Sequence, residues 1–267
     1  MGALDRFRLD GQVAVVTGAG RGIGAGCALV YAEAGADVAL AARTRDQLES
    51  TAEQVRALGR RALVVPGDVS DLAFVAELAD RTAAELGRID HVVNNVGGSA
   101  PGPLMATSAE QLEEAFHVNV TTAFELSKRC IPHLLAQGGG TIVNISSFMG
   151  RRADRGFVAY GTAKGAMAHM TRLMALDCAP RIRVNGIYVG SIATSALEGV
   201  LATPQLAEEM VAKTPLGFIG TPEDIGLCAL YLASPAGRYL TGKLIECDGG
   251  TEMSTLDLRI PDLGTEP

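Results

Sequence analysis

The sequence contains few of the residues that build metal sites and disulfide frameworks. Its 267 residues include five cysteines and four histidines. The cysteines are widely spaced, without a CxxC pair or a Cys/His ligand spacing, which predicts neither a zinc site nor a disulfide scaffold. Free thiols in apolar surroundings instead fit a reducing compartment. The histidines form no constellation in the sequence, so we predict no metal site.

Long apolar runs and an excess of basic charge are also missing. The most apolar stretch, AGCALVYAEAGADVALAA, is interrupted by Glu33, Gly35 and Asp37, which argues against a membrane span. The N-terminus has no apolar core of signal-peptide length, so we expect a cytoplasmic protein. The net charge of −7 argues against a general nucleic-acid or membrane-surface binder.

What the sequence does contain is a regular alternation of short apolar runs and longer amphipathic segments. The apolar runs predict strands at 12–18, 37–43, 61–69, 89–97, 141–147, 182–190 and 243–250. The segments between them predict helices at 22–35, 45–59, 71–87, 108–136, 157–178 and 222–234. This alternation predicts one doubly wound α/β domain over 1–267, with a seven-stranded parallel sheet and helices on both faces.

A glycine-rich turn, TGAGRGIG (17–24), joins the first predicted strand to the first predicted helix. Glycine lets phosphates approach the backbone, and the start of the helix offers free N–H groups to a pyrophosphate. A strand before the turn and a helix after it are the context of a dinucleotide fingerprint, although a plain glycine-rich loop is the alternative. The predicted cofactor residues of the turn are Gly18, Gly20, Arg21, Gly22, Ile23 and Gly24.

The end of the second predicted strand discriminates between NAD(H) and NADP(H). NAD-binding proteins usually place an acid there to accept a hydrogen bond from the ribose 2′-hydroxyl. This chain reads AART over 41–44, without an acid. Arg43 and Arg21 can both face a 2′-phosphate, while the alternative is that Arg43 only solvates the strand end. The pattern favours NADP(H) and leaves NAD(H) open.

Three further motifs complete a resemblance to the short-chain dehydrogenase/reductase family. The sequence NNVG (94–97) resembles the family's NNAG motif, YGTAK (160–164) its YxxxK motif, and IYVGSIAT (187–194) its PG-x-x-x-T segment, with Val189 in place of proline. The glycine-rich turn resembles its TGxxxGxG motif. The resemblance implies a Rossmann-type fold and an NAD(P)-dependent oxidoreductase acting on CH–OH groups.

The resemblance also implies roles for individual residues. It implies that Ser147, Tyr160 and Lys164 are catalytic and that Asn119, in HVNV, supports a water-linked proton path to Lys164. Ser146 is a rival for the serine role, but the thirteen-residue spacing to Tyr160 favours Ser147. The further cofactor contacts that it implies are Asp68, Val69, Asn95, Tyr160, Lys164, Val189, Ile192 and Thr194.

The chemistry of YGTAK agrees with that assignment. A free tyrosine has a pKa of about 10 and is a poor base at neutral pH, but a nearby positive charge favours its ionised form. Lys164 lies four residues after Tyr160, hence on the same face of a helix. Ser147 can hydrogen-bond the substrate oxygen. Taken alone, YGTAK also fits a surface helix with a polar pair.

Substrate specificity is expected in the segment 191–217, which the resemblance makes a lid, and in the loop after NNVG. Apolar residues there suit a bulky alicyclic or acyl substrate, although they also fit packing within the lid itself. The loop RRADR (151–155) suggests contact with an anionic substrate group, with a solvated loop or a subunit contact as the alternative. The candidate substrate residues are Gly97, Ser99, Arg151, Leu197 and Met210.

Within the family, the pattern is closest to hydroxysteroid dehydrogenases and 3-oxoacyl-thioester reductases. The resemblance implies a small-molecule carbonyl or alcohol substrate and a homotetramer, with a C-terminal tail (about 251–267) that covers a neighbouring subunit or stays loose. A nucleotide-sensing binding protein is the non-enzymatic alternative. Such a protein would be expected to lose Ser147, Tyr160 or Lys164, and this chain keeps all three.

Overall fold

Seven parallel strands form one sheet in the computed structural model, which describes residues 2–195, 197–255, 258, 260, 262 and 263. Strands β1 to β7 are Val13–Thr17, Asp37–Ala42, Ala62–Pro66, His91–Asn94, Gly140–Ile145, Ile182–Val189 and Leu244–Cys247. They lie in the order β3-β2-β1-β4-β5-β6-β7. The order reverses between β1 and β4, and a sheet of this type binds ligands at the carboxyl ends of the strands beside that reversal.

The helices cover both faces of the sheet, as the sequence predicts. Within the described residues, helices α1 to α9 are Gly22–Glu33, Arg45–Ala57, Leu72–Leu86, Ala109–Phe116, Thr122–Ala136, Val158–Cys178, Glu198–Leu201, Pro204–Ala212 and Pro222–Ala233. Helices α1, α2 and α9 pack on one face, and α3, α5 and α6 pack on the other. Within β1, Ala14 and Val16 face the first group while Val13 and Val15 face the second, which explains its uninterrupted apolar run.

The chain is helical from Ala109 to Ala136, as predicted for 108–136, but the helix is not of the α type throughout. Helices α4 and α5 are joined by a π-helical turn, His117–Thr121, which contains Asn119. The Asn119 side chain donates a hydrogen bond to the carbonyl of Ala115, at 2.7 Å, and so competes with the backbone for a helical acceptor. Such a turn accommodates one extra residue within a helix, and the predicted extent of the helix does not reveal it.

A buried polar network attaches α5 and α6 to the centre of the sheet. Asn94, on β4, donates from Nδ2 to Asn144 on β5, at 2.8 Å, and to Ser127 on α5, at 2.9 Å. Asn144 in turn donates to Thr171 on α6, at 2.9 Å. Because all four side chains are buried, losing one partner would leave a polar group unsatisfied, and the network therefore fixes where α6 lies on the sheet.

Helices α1 and α9 approach each other through glycine. A Cβ atom on Gly26 would lie 2.5 Å from the carbonyl oxygen of Pro222, and one on Gly226 would lie 2.8 Å from that of Gly26. Both distances are shorter than real contacts of a Cβ atom, so the two backbones must separate to admit a side chain.

Gly26→Ala is therefore expected to destabilise the protein. Alanine favours a helix by about 1 kcal/mol over glycine, but overpacking costs roughly 1–3 kcal/mol, so the unfolding midpoint falls. Gly199→Ala is the matched control, since Gly199 also lies in a helix and its added Cβ meets nothing within 4 Å. Thermal unfolding at one protein concentration compares the variants, and a midpoint for Gly26→Ala at or above that of the control would contradict the packing argument.

Candidate active site

The turn between β1 and α1 depends on glycine at specific positions. Gly18 and Gly22 have φ values of 66° and 56°, a region that favours glycine. A Cβ atom on Gly24 would lie 2.2 Å from the carbonyl oxygen of Gly18, so α1 can begin this close to β1 only with glycine there. Asn95 braces the turn, because its Nδ2 donates to the carbonyl of Thr17 at 2.9 Å. The start of α1 is thereby held at the strand reversal.

This turn opens onto a cavity of about 1180 Å³ at the carboxyl ends of the strands. The cavity exceeds the roughly 300–1,000 Å³ of an ordinary small-ligand pocket and has room for a dinucleotide and a second ligand. The predicted cofactor residues in its lining are Gly18, Gly20, Arg21, Gly22, Ile23, Arg43, Asp68, Val69, Asn95, Tyr160, Lys164, Val189, Ile192 and Thr194. Gly24 is buried behind Gly18 and is not in the lining.

Three of the predicted catalytic side chains converge on the same cavity. Ser147 follows β5, and Tyr160 and Lys164 lie one turn apart on α6. Burial raises the pKa of Tyr160, while a hydrogen bond with the Ser147 side chain acts in the opposite direction. The ammonium nitrogen of Lys164 lies 5.8 Å from the centre of the Tyr160 ring. A phenol, a hydroxyl and an ammonium group thus occupy one corner of the cavity.

Lys164 is almost completely buried, with only 3% of its surface exposed. Its Nζ donates a hydrogen bond to the carbonyl of Ile145, at the end of β5, with a distance of 2.9 Å. Burial lowers the pKa of Lys164 to about 8. At neutral pH the group is therefore still mostly protonated, and it can supply positive charge to Tyr160.

Asn119 lies behind the cavity wall rather than in its lining. Its Oδ1 accepts from the backbone N–H of Gly98 at 3.0 Å, and its Nδ2 donates to the carbonyl of the same residue at 2.9 Å. A Cβ atom on Gly97 would lie 2.4 Å from Asn119 Oδ1 and 2.7 Å from Lys164 Nζ. Asn119 and Lys164 therefore meet at the bare backbone of Gly97, and Asn119 holds the loop that lines the cavity.

Arg43 and Asp68 lie together at the end of the cavity formed by β2 and β3. Arg43 Nη1 lies 4.0 Å from Asp68 Oδ2, and both side chains are exposed. Asp68 Oδ1 accepts from the backbone N–H of Ser70 at 2.9 Å. Hydrogen bonds from Ser70 lower the pKa of Asp68, and the Arg43 charge adds to this effect. The guanidinium stays accessible from the cavity, although a carboxylate is near it.

The candidate substrate residues separate into two groups. Gly97, Ser99, Leu197 and Met210 line the cavity, with Leu197 and Met210 coming from the segment 191–217. Arg151 is absent from the lining and forms ion pairs with Glu246, at 2.8 Å, and Glu252, at 3.6 Å. Because carboxylates of the same chain compensate its charge, the structure does not bring Arg151 to a position for binding an anionic substrate.

Sequence reasoning missed the part of the wall formed by Thr251, Ser254 and Thr255. These residues line the cavity from the region treated as a C-terminal tail. Their only signal in the sequence is indirect: acidic residues in the tail complement the arginines of RRADR, about 100 positions earlier.

Comparison with known proteins identifies the family. The family model described as Enoyl-(Acyl carrier protein) reductase matches residues 18–252. A short-chain type dehydrogenase/reductase from Mycobacterium marinum has a solved structure that is 38% identical to this chain, with a TM-score of 0.88, covering 94% of this chain and 99% of that one. The chain belongs to the short-chain dehydrogenase/reductase family. An uncharacterised oxidoreductase of Mycobacterium tuberculosis strain CDC 1551 is 54% identical over 261 residues, 97% of this chain and 99% of that protein.

Two solved structures that are similar to this chain contain bound ligands. A 7α-hydroxysteroid dehydrogenase complexed with NADH and 7-oxo glycochenodeoxycholic acid is 35% identical, has a TM-score of 0.90 and covers 94% of this chain and 98% of its own. A gluconate 5-dehydrogenase from Burkholderia cenocepacia, in complex with NADP and tartrate, is 33% identical, has a TM-score of 0.86 and covers 93% and 98%. These similarities support an NAD(P)-dependent oxidoreductase acting on CH–OH groups.

No group of three or more His, Cys, Asp or Glu side chains among the described residues is arranged to hold a metal ion. Within the same part of the chain, no helix has the length and apolar character needed to cross a membrane.

The burial of Lys164 predicts a pH-dependent stability in the free protein. An unfolded lysine keeps its proton up to about pH 10.4, whereas the pKa of folded Lys164 is about 8. Between these values the unfolded state binds more protons, so the free energy of unfolding rises with pH relative to Lys164→Met. Urea unfolding at about pH 7.5 and 9.5 measures this difference, with Lys128→Met as a control for loss of an exposed lysine. If the free energies of unfolding of the wild type and Lys164→Met differed by the same amount at both pH values, the lowered pKa of buried Lys164 would be contradicted.

Proposed function

We propose that the protein interconverts a ketone and a secondary alcohol by hydride transfer with NADP(H). The convergence of Ser147, Tyr160 and Lys164 beside the glycine-rich turn carries this proposal. The turn fits a dinucleotide, because side chains at Gly18 or Gly24 would collide with backbone or with Asn95. Its residues Gly20 to Ile23 would hold the pyrophosphate at the start of α1.

The cavity residues divide the proton chemistry between them. When bound, the nicotinamide supplies or accepts the hydride. In reduction, the Tyr160 hydroxyl donates a proton to the carbonyl oxygen, and in oxidation the same oxygen takes it back. The Lys164 ammonium stabilises the ionised phenol, and Ser147 donates a hydrogen bond to the substrate oxygen as negative charge develops. Asn119 keeps the Gly97–Gly98 backbone in place beside Lys164.

The preference for NADP(H) rests on the end of β2. The strand end, AART over 41–44, contains no carboxylate, and Arg21 and Arg43 both line the cavity, where a guanidinium can bind a 2′-phosphate. The alternative is NAD(H)-linked oxidation of an alcohol. Asp68 favours that alternative, because it lies near Arg43 and compensates part of its charge.

The substrate is proposed to be bulky and largely apolar, such as a steroid-like ketone or a 3-oxoacyl thioester. Leu197 and Met210 contribute apolar surface from the proposed lid, and Phe157 adds an aromatic ring to the same cavity. The bile-acid ketone in the 7α-hydroxysteroid dehydrogenase complex and the acyl-carrier description of the family model support these two classes.

We further propose a cytoplasmic homotetramer. The five cysteines are free thiols, which fits a reducing compartment. Helices α4 to α6 expose large apolar side chains that a partner subunit would cover; these include Leu112, Phe116, Phe124, Leu173 and Leu176. Light scattering on the purified protein measures the assembly.

A cofactor and substrate screen tests the proposed activity. Nicotinamide absorbance is followed with NADPH, NADH, NADP⁺ and NAD⁺ against steroids, cyclic ketones, 3-oxoacyl thioesters and the corresponding alcohols. Turnover of at least one carbonyl–alcohol pair is expected. Nucleotide binding without any turnover would instead support the nucleotide-sensing alternative.

Tyr160→Phe is expected to abolish turnover while leaving cofactor binding intact. Loss of a positioned proton donor lowers the rate by about 10²–10⁴-fold, whereas the ring keeps its packing. Tyr239→Phe removes an almost fully exposed hydroxyl and is the matched control. Steady-state kinetics and NADPH fluorescence titration measure the two effects. Undiminished turnover in Tyr160→Phe would refute the assignment.

Arg43→Ala is expected to discriminate between the two cofactors. A lost charge-assisted contact to a 2′-phosphate weakens NADPH binding about ten- to hundredfold, while NADH binding changes little. Arg45→Ala is the control, since Arg45 is a near neighbour that pairs with Glu49 outside the cavity lining. Calorimetry gives both dissociation constants. Equal losses for the two cofactors, or tenfold tighter NADH binding to the wild type, would disprove the role of Arg43.

A further inference from the structure

The chain after β7 turns back to the cavity and forms part of its wall. We call Thr251–Thr255 the C-terminal strap. Thr251 is buried, and it lines the cavity together with Ser254 and Thr255. The hydroxyls of Thr255 and Ser191 lie 2.8 Å apart, so the strap contacts the segment that follows β6. The strap therefore contacts the beginning of the proposed lid, the segment 191–217.

Opposite charges attach the strap to the loop that follows Ser147. Glu252 pairs with both Arg151 and Arg152, which come directly after the short 3-10 turn Phe148–Gly150. Arg151 also pairs with Glu246, on β7. One carboxylate of the strap thus compensates two adjacent guanidinium groups of the RRADR loop.

A second attachment lies further along the chain. Arg155 donates to the carbonyl of Ile260 at 3.0 Å and pairs with Asp262 at 2.6 Å. The neighbouring Gly156 has a φ of 84°, and a Cβ atom there would lie 2.6 Å from the Ile260 side chain and 3.0 Å from that of Leu258. The C-terminal chain therefore contacts the RRADR loop at two places. All three arginines of that loop form ion pairs with carboxylates of the C-terminal chain.

We propose that the C-terminal strap is a substrate-contacting wall, and that the pairing of Glu252 with Arg151 and Arg152 sets its position and thereby the size of substrate that the cavity accepts. The word substrate here rests on the proposed oxidoreductase function. Glu252 is a positioning residue, since it acts through the strap, whereas Thr251, Ser254 and Thr255 face the ligand.

The charges at this contact predict the direction of the effect. Without the Glu252 carboxylate, Arg151 and Arg152 lose their shared partner, and the strap moves away from the RRADR loop. A wider cavity makes fewer contacts with a small ketone, so the small ketone binds less well. The same widening relieves crowding around a bulky ketone, so the bulky ketone binds better. The ratio of kcat/KM for a bulky ketone to kcat/KM for a small one therefore rises. A uniform loss of folded enzyme would lower both values and leave their ratio unchanged.

The experiment compares Glu252→Gln and Glu252→Arg with wild type on a bulky and a small ketone from the screen. The ratio is expected to rise about three- to fivefold in Glu252→Gln, as for a partly exposed ion pair, and further in Glu252→Arg. Glu85→Gln and Glu85→Arg are the matched controls, because Glu85 pairs with Arg81 at 2.9 Å on the outside of α3. The controls are expected to keep the wild-type ratio.

Ser254→Leu tests whether the strap forms a wall of the cavity, and it is expected to change the kcat/KM ratio in the direction opposite to the Glu252 variants. The larger side chain narrows the cavity, so the ratio of bulky to small kcat/KM falls, while NADPH binding stays at the wild-type value. An unchanged ratio in both Ser254→Leu and Glu252→Arg, with cofactor binding intact, would overturn the proposal.

Hydrogen exchange at the amides of Thr251–Thr255 tests the attachment without requiring turnover. Exchange is expected to be faster in Glu252→Gln than in Glu85→Gln, and raising the salt concentration should reduce the difference by accelerating the wild type. Equal exchange in the two variants would overturn the proposed attachment. If no ketone or alcohol is turned over, the proposed function fails, and the exchange result still decides whether Glu252 holds the strap.

Discussion

The buried ammonium group of Lys164 is the interaction on which the active site depends. Removing a charge from water is costly, and the group is retained because it donates to the carbonyl at the end of β5. Its position requires bare backbone at Gly97, since a Cβ atom there would lie 2.7 Å from Nζ. One hydrogen bond thus links the central sheet to the helix that carries Tyr160, and the loop that lines the cavity passes beside it only because Gly97 has no side chain.

The fold supplies this geometry through a second layer of buried polar contacts. A hydrogen-bond network fixes the positions of α5 and α6 along the strands of the sheet; its members are Asn94, Asn144, Ser127 and Thr171. The π-helical turn interrupts the regular pattern of backbone hydrogen bonds of the helix. Asn119, which lies in this turn, accepts a hydrogen bond from the backbone N–H of Gly98. Buried polar contacts of this kind fix the positions of the elements that they join, because a misplaced partner would leave a buried donor or acceptor without a hydrogen bond.

Much of the fold was predictable because it depends on local patterns. A parallel strand buried on both faces reads as a short apolar run, and QVAVVTG does so at β1. The seven predicted strands and their alternation with helices were confirmed. The helix predicted at 108–136 was confirmed in extent, but its π-helical turn, His117–Thr121, was not predicted. The roles of individual site residues remain predictions, although most of those residues line one cavity.

The sequence by itself determined the alternating layers, the glycine-rich turn and the spacing of Tyr160 and Lys164, since each depends on neighbours within a turn or a strand. Only the tertiary structure decided what the arginines of RRADR contact. A charge at Arg151 attracts any anion, whether a substrate or a carboxylate of the same chain, and local sequence cannot say which comes near it. The fold places Glu252 beside Arg151 and Arg152. Because about 100 residues separate these partners in the sequence, their contact depends on the packing of every element between them.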